Sequence, residues 1–591
     1  MIWNVFFFLS VLSLALTIII IVILNKNKKR FIIKMNILFF GSAFALFLLF
    51  IPIFIDSRSE SFLSEVTAVL MSINRTLRAF SLTDIDFMNE SHKSTVSIYN
   101  IYSFYMSLLC FFCPFLSIGY LLSFFTRIRE KIRFSLCFFK DIYVFSELNP
   151  KSIALSQDIS ANDPKAHIIF TGVNDESRKA NNNLYQEAEN INAICFSKNI
   201  LAIKFNHHSN AAKIYFFTLK DDITANLMDS YSLIEKYKMR RNTHLYAFSD
   251  SIESEIVLSD IDKGEIQVRR VDECKTIINH FMYEKGINIL RSAVELDDGT
   301  KQISAVLIGL GKAGSGLLKA LAWYGQMDGY RIKITAFDKD PHIADKLKAK
   351  CPELLSEEFN GVHIEGEAEY EIKICPGMDV FTKSFADSVS AVTDATFVFV
   401  ALGNDSINVE TAVDMRKLFE RVGVKPYITA ILNDSEKRRV LKNARNFKTE
   451  PYDIDFIGDW KYIYSKNVIM NSELEEAALR SHKGIEEEKN FWKYEYNYNS
   501  SIAATIHQRA RIQCGIPGAG KPLESLSDDE VKRIAMMEHK RWNAYMRSQG
   551  YIYSGSLDPA SRNDLGKMHH NLVPYQDLSE DDAAKDVKLS F

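Results

Sequence analysis

The sequence predicts an α-helical membrane segment joined to α/β structure. Three transmembrane helices come first, then two tandem parallel-sheet domains, then a small, mostly α C-terminal module. Three observations predict this. The first 126 residues hold three long uncharged apolar runs. From Lys140 onward, short apolar runs alternate with polar stretches of helical length, and this pattern occurs twice. Near the C-terminus, Ser527-Asp-Asp-Glu530 reads as a capping box that opens one more helix. At roughly 150 residues per domain, a chain of this length has room for about four units.

Composition narrows the function classes. Lys and Arg total 71 against 74 Asp and Glu, a net charge of -3. So balanced a chain has no global basic field, and no direct nucleic-acid binding is expected. With 25% charged and 47% hydrophobic residues the chain is not disordered. The eight cysteines are scattered, with neither zinc-ligand spacing nor a disulfide framework, which suits a reducing compartment. No metal site is expected.

The membrane domain is read as residues 1–135, with spans at about 2–24, 36–55 and 98–126. At ~1.5 Å per residue each run crosses a ~30 Å hydrocarbon core. The first is not a signal peptide: nothing basic precedes it, and Lys26, Lys28, Lys29 and Arg30 follow it. Arg127, Arg129, Lys131 and Arg133 follow the third run. The positive-inside rule then puts the N-terminus outside, residues 56–97 outside, and everything after residue 126 in the cytoplasm. In the outer loop, Val66, Val69, Leu70, Ile73, Leu77 and Phe80 recur at helical spacing. Such a helix either lies on the membrane face or packs its stripe against the spans. The spans hold no ionisable residue beyond the flanking Lys34, and no potassium-filter motif. Ser10, Ser13, Thr17, Ser103, Ser107 and Ser117 either line a pore or serve helix packing.

The second α/β copy, residues 303–440, carries the clearer motif. Ala305-Val-Leu-Ile308 is a buried strand, and Gly309-Leu-Gly311-Lys-Ala-Gly314 opens an amphipathic helix. The next strand ends in Asp338. Each position has a physical task in a Rossmann-like fold. Gly309 permits the tight turn. Gly311 admits a pyrophosphate to the helix N-terminus, where free amides and the dipole favour anions. Gly314 lets helix and strand approach. Asp338 can accept hydrogen bonds from ribose hydroxyls. Thr396–Leu402 and Tyr427–Leu432 supply further strands, with Asn404 and Asp405 at the carboxyl edge.

The first copy, residues 140–295, has strands at Ile142–Phe145, Ile168–Thr171, Ile214–Thr218 and Leu245–Phe248. Its turn, Ser146-Glu-Leu-Asn149-Pro150, has no glycine and reads as degenerate. Residues 441–525 are a connector whose Trp460, Trp492 and tyrosines indicate docking, and whose Glu-rich stretches read as solvated helix faces. Gly515-Ile-Pro-Gly-Ala-Gly-Lys521 imitates a phosphate-binding loop. Pro522 stands where Ser or Thr is required and no strand precedes it, so it reads as a plain loop. In residues 526–591, Glu538, Arg541, Trp542 and Tyr545 share one helix face. Trp542, Tyr551 and Tyr553 can stack a base, and Arg541 and Lys567 can hold a phosphate. The same residues also suit a structural core.

Two resemblances follow. Residues 141–440, with Gly-Leu-Gly-Lys-Ala-Gly and Val-Ala-Leu-Gly-Asn-Asp, resemble the NAD-binding regulatory domains (TrkA-N or RCK type) of potassium channels and uptake systems. That resemblance implies NAD or another adenine nucleotide as ligand at Gly309, Gly311, Gly314, Asp338 and Asn404, gating rather than hydride transfer, and no catalytic residue. The C-terminal module is similar to the ryanodine-receptor repeat domain. The match runs through Glu538-His-x-Arg541-Trp542, Gly550-Tyr551-x-Tyr553 and Lys567-x-His569-His570-x-Leu-Val-Pro-Tyr575. Tyr551, Ser554 and His570 depart from the family pattern. It implies a nucleotide-like ligand held by Glu538, Arg541, Trp542, Tyr551, Tyr553, Lys567, His569 and Tyr575. The whole layout resembles bacterial effectors of nucleotide-signalled anti-phage defence. It implies a homo-oligomer, dimer or tetramer, in the bacterial inner membrane that answers a nucleotide or cyclic oligonucleotide messenger. The alternatives are a membrane-anchored NAD(P)-linked enzyme and a regulatory subunit of a separate potassium channel.

Overall fold

The computed structural model describes residues 2–26, 31–55, 62–81, 97–124, 126–205, 209–356, 370–470, 472–483 and 486–590. They form two compact units. The first comprises residues 1–153 and 163–216. The second comprises residues 154–162 and 217–591. The division falls inside the first strand series, not at the sequence-expected boundaries near residues 135 and 295.

Four helices open the first unit: α1 (Ile2–Lys26), α2 (Phe31–Ile55), α3 (Phe62–Phe80) and α4 (Ser97–Phe124). Within them, Trp3–Ile23, Lys34–Ile55 and Ile101–Leu121 are long and apolar enough to cross a membrane. The chain thus carries the helices of a membrane anchor. Small residues let α1 and α2 approach: a Cβ at Gly41 would meet the Thr17 hydroxyl at 2.3 Å. Ser10 donates to the Ala45 carbonyl (2.7 Å) and Ser117 to the Phe80 carbonyl (2.7 Å). These two serines therefore tie helices together. In α3 the packed face is Ala68, Ser72, Thr76 and Ala79, while Val66, Val69, Leu70, Ile73 and Leu77 are exposed. Of the apolar stripe only Phe80 packs on the spans, edge-on to Phe39; the small-residue face makes the rest of the contact. A short helix, α5 (Thr126–Ser135), leads to the first strands.

These strands are β1 (Ile142–Phe145), β2 (His167–Phe170), β3 (Ile194–Cys195) and β4 (Ile214–Thr218). β1 pairs in parallel with β2, and β2 with β3. In the second unit, β5 (Thr243–Phe248) pairs in parallel with β6 (Gln267–Val271). The turn after β1 is closed by its own side chains. The Asn149 side chain accepts from the Ser152 amide (2.8 Å), and the Asn149 amide donates to the Ser152 hydroxyl (2.9 Å). Helix α6 (Pro150–Asn162) follows directly.

A long helix, α7 (Glu273–Arg291), leads into the second sheet. Its strands are β7 (Val294–Glu295), β8 (Lys301–Ile308), β9 (Tyr330–Phe337), β10 (Tyr370–Cys375), β11 (Phe397–Val400), β12 (Tyr427–Ile431) and β13 (Ile454–Ile457). Six of them run parallel in the order β10-β9-β8-β11-β12-β13, and β7 adds an antiparallel edge to β8. Val306, Ile308, Val398, Val400 and Ile428 are fully buried at its centre. The chain winds outward from β8 in both directions, so the sheet has a switch point between β8 and β11.

The sheet extends past residue 440, because β13, inside the expected connector, pairs with β12. The rest of the connector is helical, ending in α10 (Glu495–Gln513); α8 (Lys312–Tyr324) and α9 (Asp405–Arg421) precede it. Glu475 is not on a solvated face. It is buried and pairs with the buried Arg269 at 2.6 Å. The Gly515–Lys521 segment lies after α10, with no strand before it, and Ile516 packs on Ile534 and Met537. The C-terminal module is α11 (Asp528–Ser548), with the capping box formed, and the short parallel pair β14 (Ile552–Tyr553) and β15 (Met568–His569).

Candidate functional site

The three motif glycines take three different roles. Gly309 has φ +88°, and a Cβ there would stand 2.4 Å from the Ala401 carbonyl oxygen. A Cβ at Gly314 would stand 1.8 Å from the Gly309 carbonyl oxygen. Both positions are dictated by the close approach of backbone to backbone. Gly311 differs: nothing lies within 4 Å of its missing side chain. It is the N-cap of α8 and offers no side-chain cap. The first-turn amides of Lys312, Ala313 and Gly314 have no intrahelical acceptor, so this end of α8 is open to an anion.

A cleft of about 610 Å³ opens at this point, over the carboxyl ends of β8 and β11. Its volume suits a small-molecule site. Gly309, Gly311 and Asp338 line one part of it; Phe337, Val380 and Leu402 give it apolar walls. Asp338 directly follows β9 and is already engaged. Its carboxylate accepts from the Leu310 amide (2.6 Å) and from the Asp340 amide (2.8 Å). It thereby holds the glycine turn, and its oxygens retain lone pairs for a hydroxyl donor. Lys312, the first helical residue, pairs with Asp250, and this hydrogen bond raises its pKa. Cys274 also lines the cleft, but burial and neighbouring carboxylates push its thiol up to about 11, so it is not a ready nucleophile.

Asn404 caps α9, accepting from the Ser406 and Ile407 amides at 3.0 and 3.1 Å. Asp405 accepts from the Asn433 and Asp434 amides. Sequence reasoning missed Asn408, which is 1% exposed and lines the cleft. Its Oδ1 accepts from the Leu402 amide (2.7 Å) and its Nδ2 donates to the Ile431 carbonyl (2.9 Å), bracing two loops of the cleft. Its only signal was a polar residue one turn past the cap.

The C-terminal residues are arranged otherwise. Glu538 and Arg541 are 0% exposed, and the Arg541 Nε and Nη2 donate to one Glu538 oxygen at 3.1 and 2.7 Å. Arg511 of α10, also buried and not foreseen from sequence, stands 3.8 Å from the other oxygen. Arg541 thus spends its charge inside the protein. Trp542 stacks on His539 and meets His569 edge-on, with ring centroids at 5.8 and 4.9 Å. Tyr575 meets His539 edge-on. Burial lowers the His569 pKa to about 4. Tyr551 is buried, with its hydroxyl 3.5 Å from Asp564. Lys567, at φ +50°, donates to the Gln549 carbonyl (2.7 Å). The Tyr553 amide and the Arg547 Nε both donate to Glu353 (2.7 and 3.2 Å), so the module docks on the second α/β series.

No family model matches the chain, and no curated protein is similar to it in sequence.

Proposed function

We propose that this chain is a membrane-anchored nucleotide sensor that binds NAD or another adenine nucleotide at the second glycine turn. One observation carries the reading. The 610 Å³ cleft opens on Gly311, where nothing stands within 4 Å and the first-turn amides of α8 are bare. The diphosphate would lie on those amides, and Asp338 would meet a ribose hydroxyl. The likeness of residues 141–440 to TrkA-N or RCK domains supports the same ligand. No catalytic residue is assigned. The membrane helices supply the output: ion flux or permeabilisation. The basic residues after the first and third runs favour an outside N-terminus and a cytoplasmic sensor in a bacterial inner membrane. The C-terminal module, similar to the ryanodine-receptor repeat, docks on the same α/β series through Glu353. A nucleotide or cyclic oligonucleotide messenger and a homo-oligomer complete the reading.

Titration calorimetry of the detergent-solubilised chain with NAD and ADP tests it. Gly311→Asp places a carboxylate where the phosphate belongs and is expected to abolish binding. In liposomes, dye release should depend on the nucleotide that binds. Unchanged affinity in Gly311→Asp overturns the site. Substrate-dependent NADH oxidation without nucleotide-dependent leakage overturns the sensor in favour of an enzyme.

A further inference from the structure

A second cleft, of about 300 Å³, lies beside the first, walled by α7, α8, α10 and α11. It is half the size and differently built. Lys275, Lys312 and Lys319 line it together with Asp250 and Asp272. The two carboxylates are committed. Asp250 pairs with Lys312, and Asp272 caps α7 by accepting from the Lys275 amide at 3.0 Å. Among the described residues, the ammonium groups of Lys275 and Lys319 form no ion pair. Among the lining residues three lysines face two carboxylates, and the one further carboxylate that acts on Lys275, Glu495, is itself paired with Arg270.

Its uncharged polar groups are also unspent. Trp323 and Tyr545 line it and are only 4% and 6% exposed. Among the described residues, neither the indole N–H nor the phenol hydroxyl has a hydrogen-bond partner. Nor has the Asn279 amide, on the same wall. The Trp323 and Tyr545 rings are buried, whereas Asn279 is half-buried, and all three border the cleft. Here two ammonium groups, an indole, a phenol and an amide face one small space, a donor set suited to an anion with several acceptor oxygens.

We propose that this second cleft is a separate binding site for a compact phosphate-bearing molecule, no larger than a mononucleotide. Gly309, Gly311 and Asp338 do not line it, although Lys312 and Cys274 border both clefts, so the two sites are neighbours with different donor sets. The lysines supply charge; Trp323, Tyr545 and Asn279 orient the oxygens.

The test uses the full chain in detergent, with AMP and inorganic phosphate as probes. Gly311→Asp is introduced first, so that the larger cleft is closed to phosphate. Calorimetry is expected to show AMP still bound. Adding Lys275→Gln and Lys319→Gln should weaken AMP at least tenfold, and Tyr545→Phe, which keeps the ring, severalfold. The melting temperature of each variant, read alongside, separates lost binding from lost folding. Two results overturn the site: neither probe binds the Gly311→Asp chain, or the folded Lys275→Gln/Lys319→Gln chain binds as tightly as its parent.

Discussion

The glycine-turn cleft and the C-terminal module were both marked by motif residues, yet the fold uses those residues in opposite ways. At the glycine turn, Gly311, on which the proposed ligand would rest, faces open space. In the C-terminal module, Glu538 and Arg541 face each other with no exposure at all. The motif in the first place leaves backbone donors open to a cleft; in the second it pairs its charges inside the protein, with the Arg541 Nη1 and the Glu538 Oε2 buried and making no hydrogen bond. Binding chemistry needs accessible groups, so the comparison favours the cleft as the proposed nucleotide site. The buried Glu538–Arg541 pair, with Arg511 beside it, packs α11 against α10.

The largest effect that tests this contrast is Glu538→Gln. It would leave two buried guanidinium groups, Arg541 and Arg511, without their carboxylate. Breaking one partner from a buried ion pair costs about 3–5 kcal/mol. Thermal unfolding of the solubilised chain should therefore shift down markedly. If the melting temperature is unchanged, Arg541 does not depend on Glu538, and it returns as a ligand group.

Next in size is a pH effect. His569 has a folded pKa of about 4, below the ~6.5 of a free histidine. The unfolded chain takes up the proton first. Its contribution to stability is therefore complete above pH ~6.5 and is lost as pH falls toward 4, by up to about 3 kcal/mol. His280, also lowered to about 4 by burial, adds a second loss in the same window. In His569→Gln the decline in melting temperature between pH 7 and 5 should be shallower by one histidine's share. An identical slope would mean that His569 is solvated, and that the module is more open than its packing indicates.

Local signals were legible in the sequence; distant partners were not. The three apolar runs, the glycine turn with Asp338 and the Ser527–Glu530 box are all set by residues within a few positions of each other. β10 alternates apolar and polar residues and carried a strand signal that sequence reasoning passed over, whereas β13 is only four residues long and is a strand because β12 offers an edge to pair with. Arg511 meets Glu538 across two helices, and Lys312 meets Asp250 across two strand series. Glu475 looked solvated because nothing nearby in sequence announces Arg269. In α3 the apolar periodicity was read correctly as a helix, but the packed face is the one bearing Ala, Ser and Thr. Periodicity identifies two faces; which one is buried depends on how closely the neighbouring helix must approach.

The smallest expected effect sharpens the comparison most. Gly311→Ala adds a single methyl group where nothing stands within 4 Å. The backbone there is extended, at φ -61° and ψ -166°, which alanine tolerates. Replacing glycine at a compatible position removes freedom from the unfolded chain, so stability should change by less than about 1 kcal/mol, in the stabilising direction. The same substitution at Gly314 puts a methyl 1.8 Å from the Gly309 oxygen and should unfold the turn. Affinity should follow the opposite logic. The Gly311 methyl occupies the space through which a diphosphate reaches the α8 amides, so NAD affinity should fall at least tenfold in a chain that melts like the parent. Calorimetry and thermal unfolding on Gly311→Ala and Gly314→Ala read both axes. A Gly311→Ala chain that keeps its affinity would show that the open space is not the phosphate's path, and the contrast between the two motif sites would lose its basis.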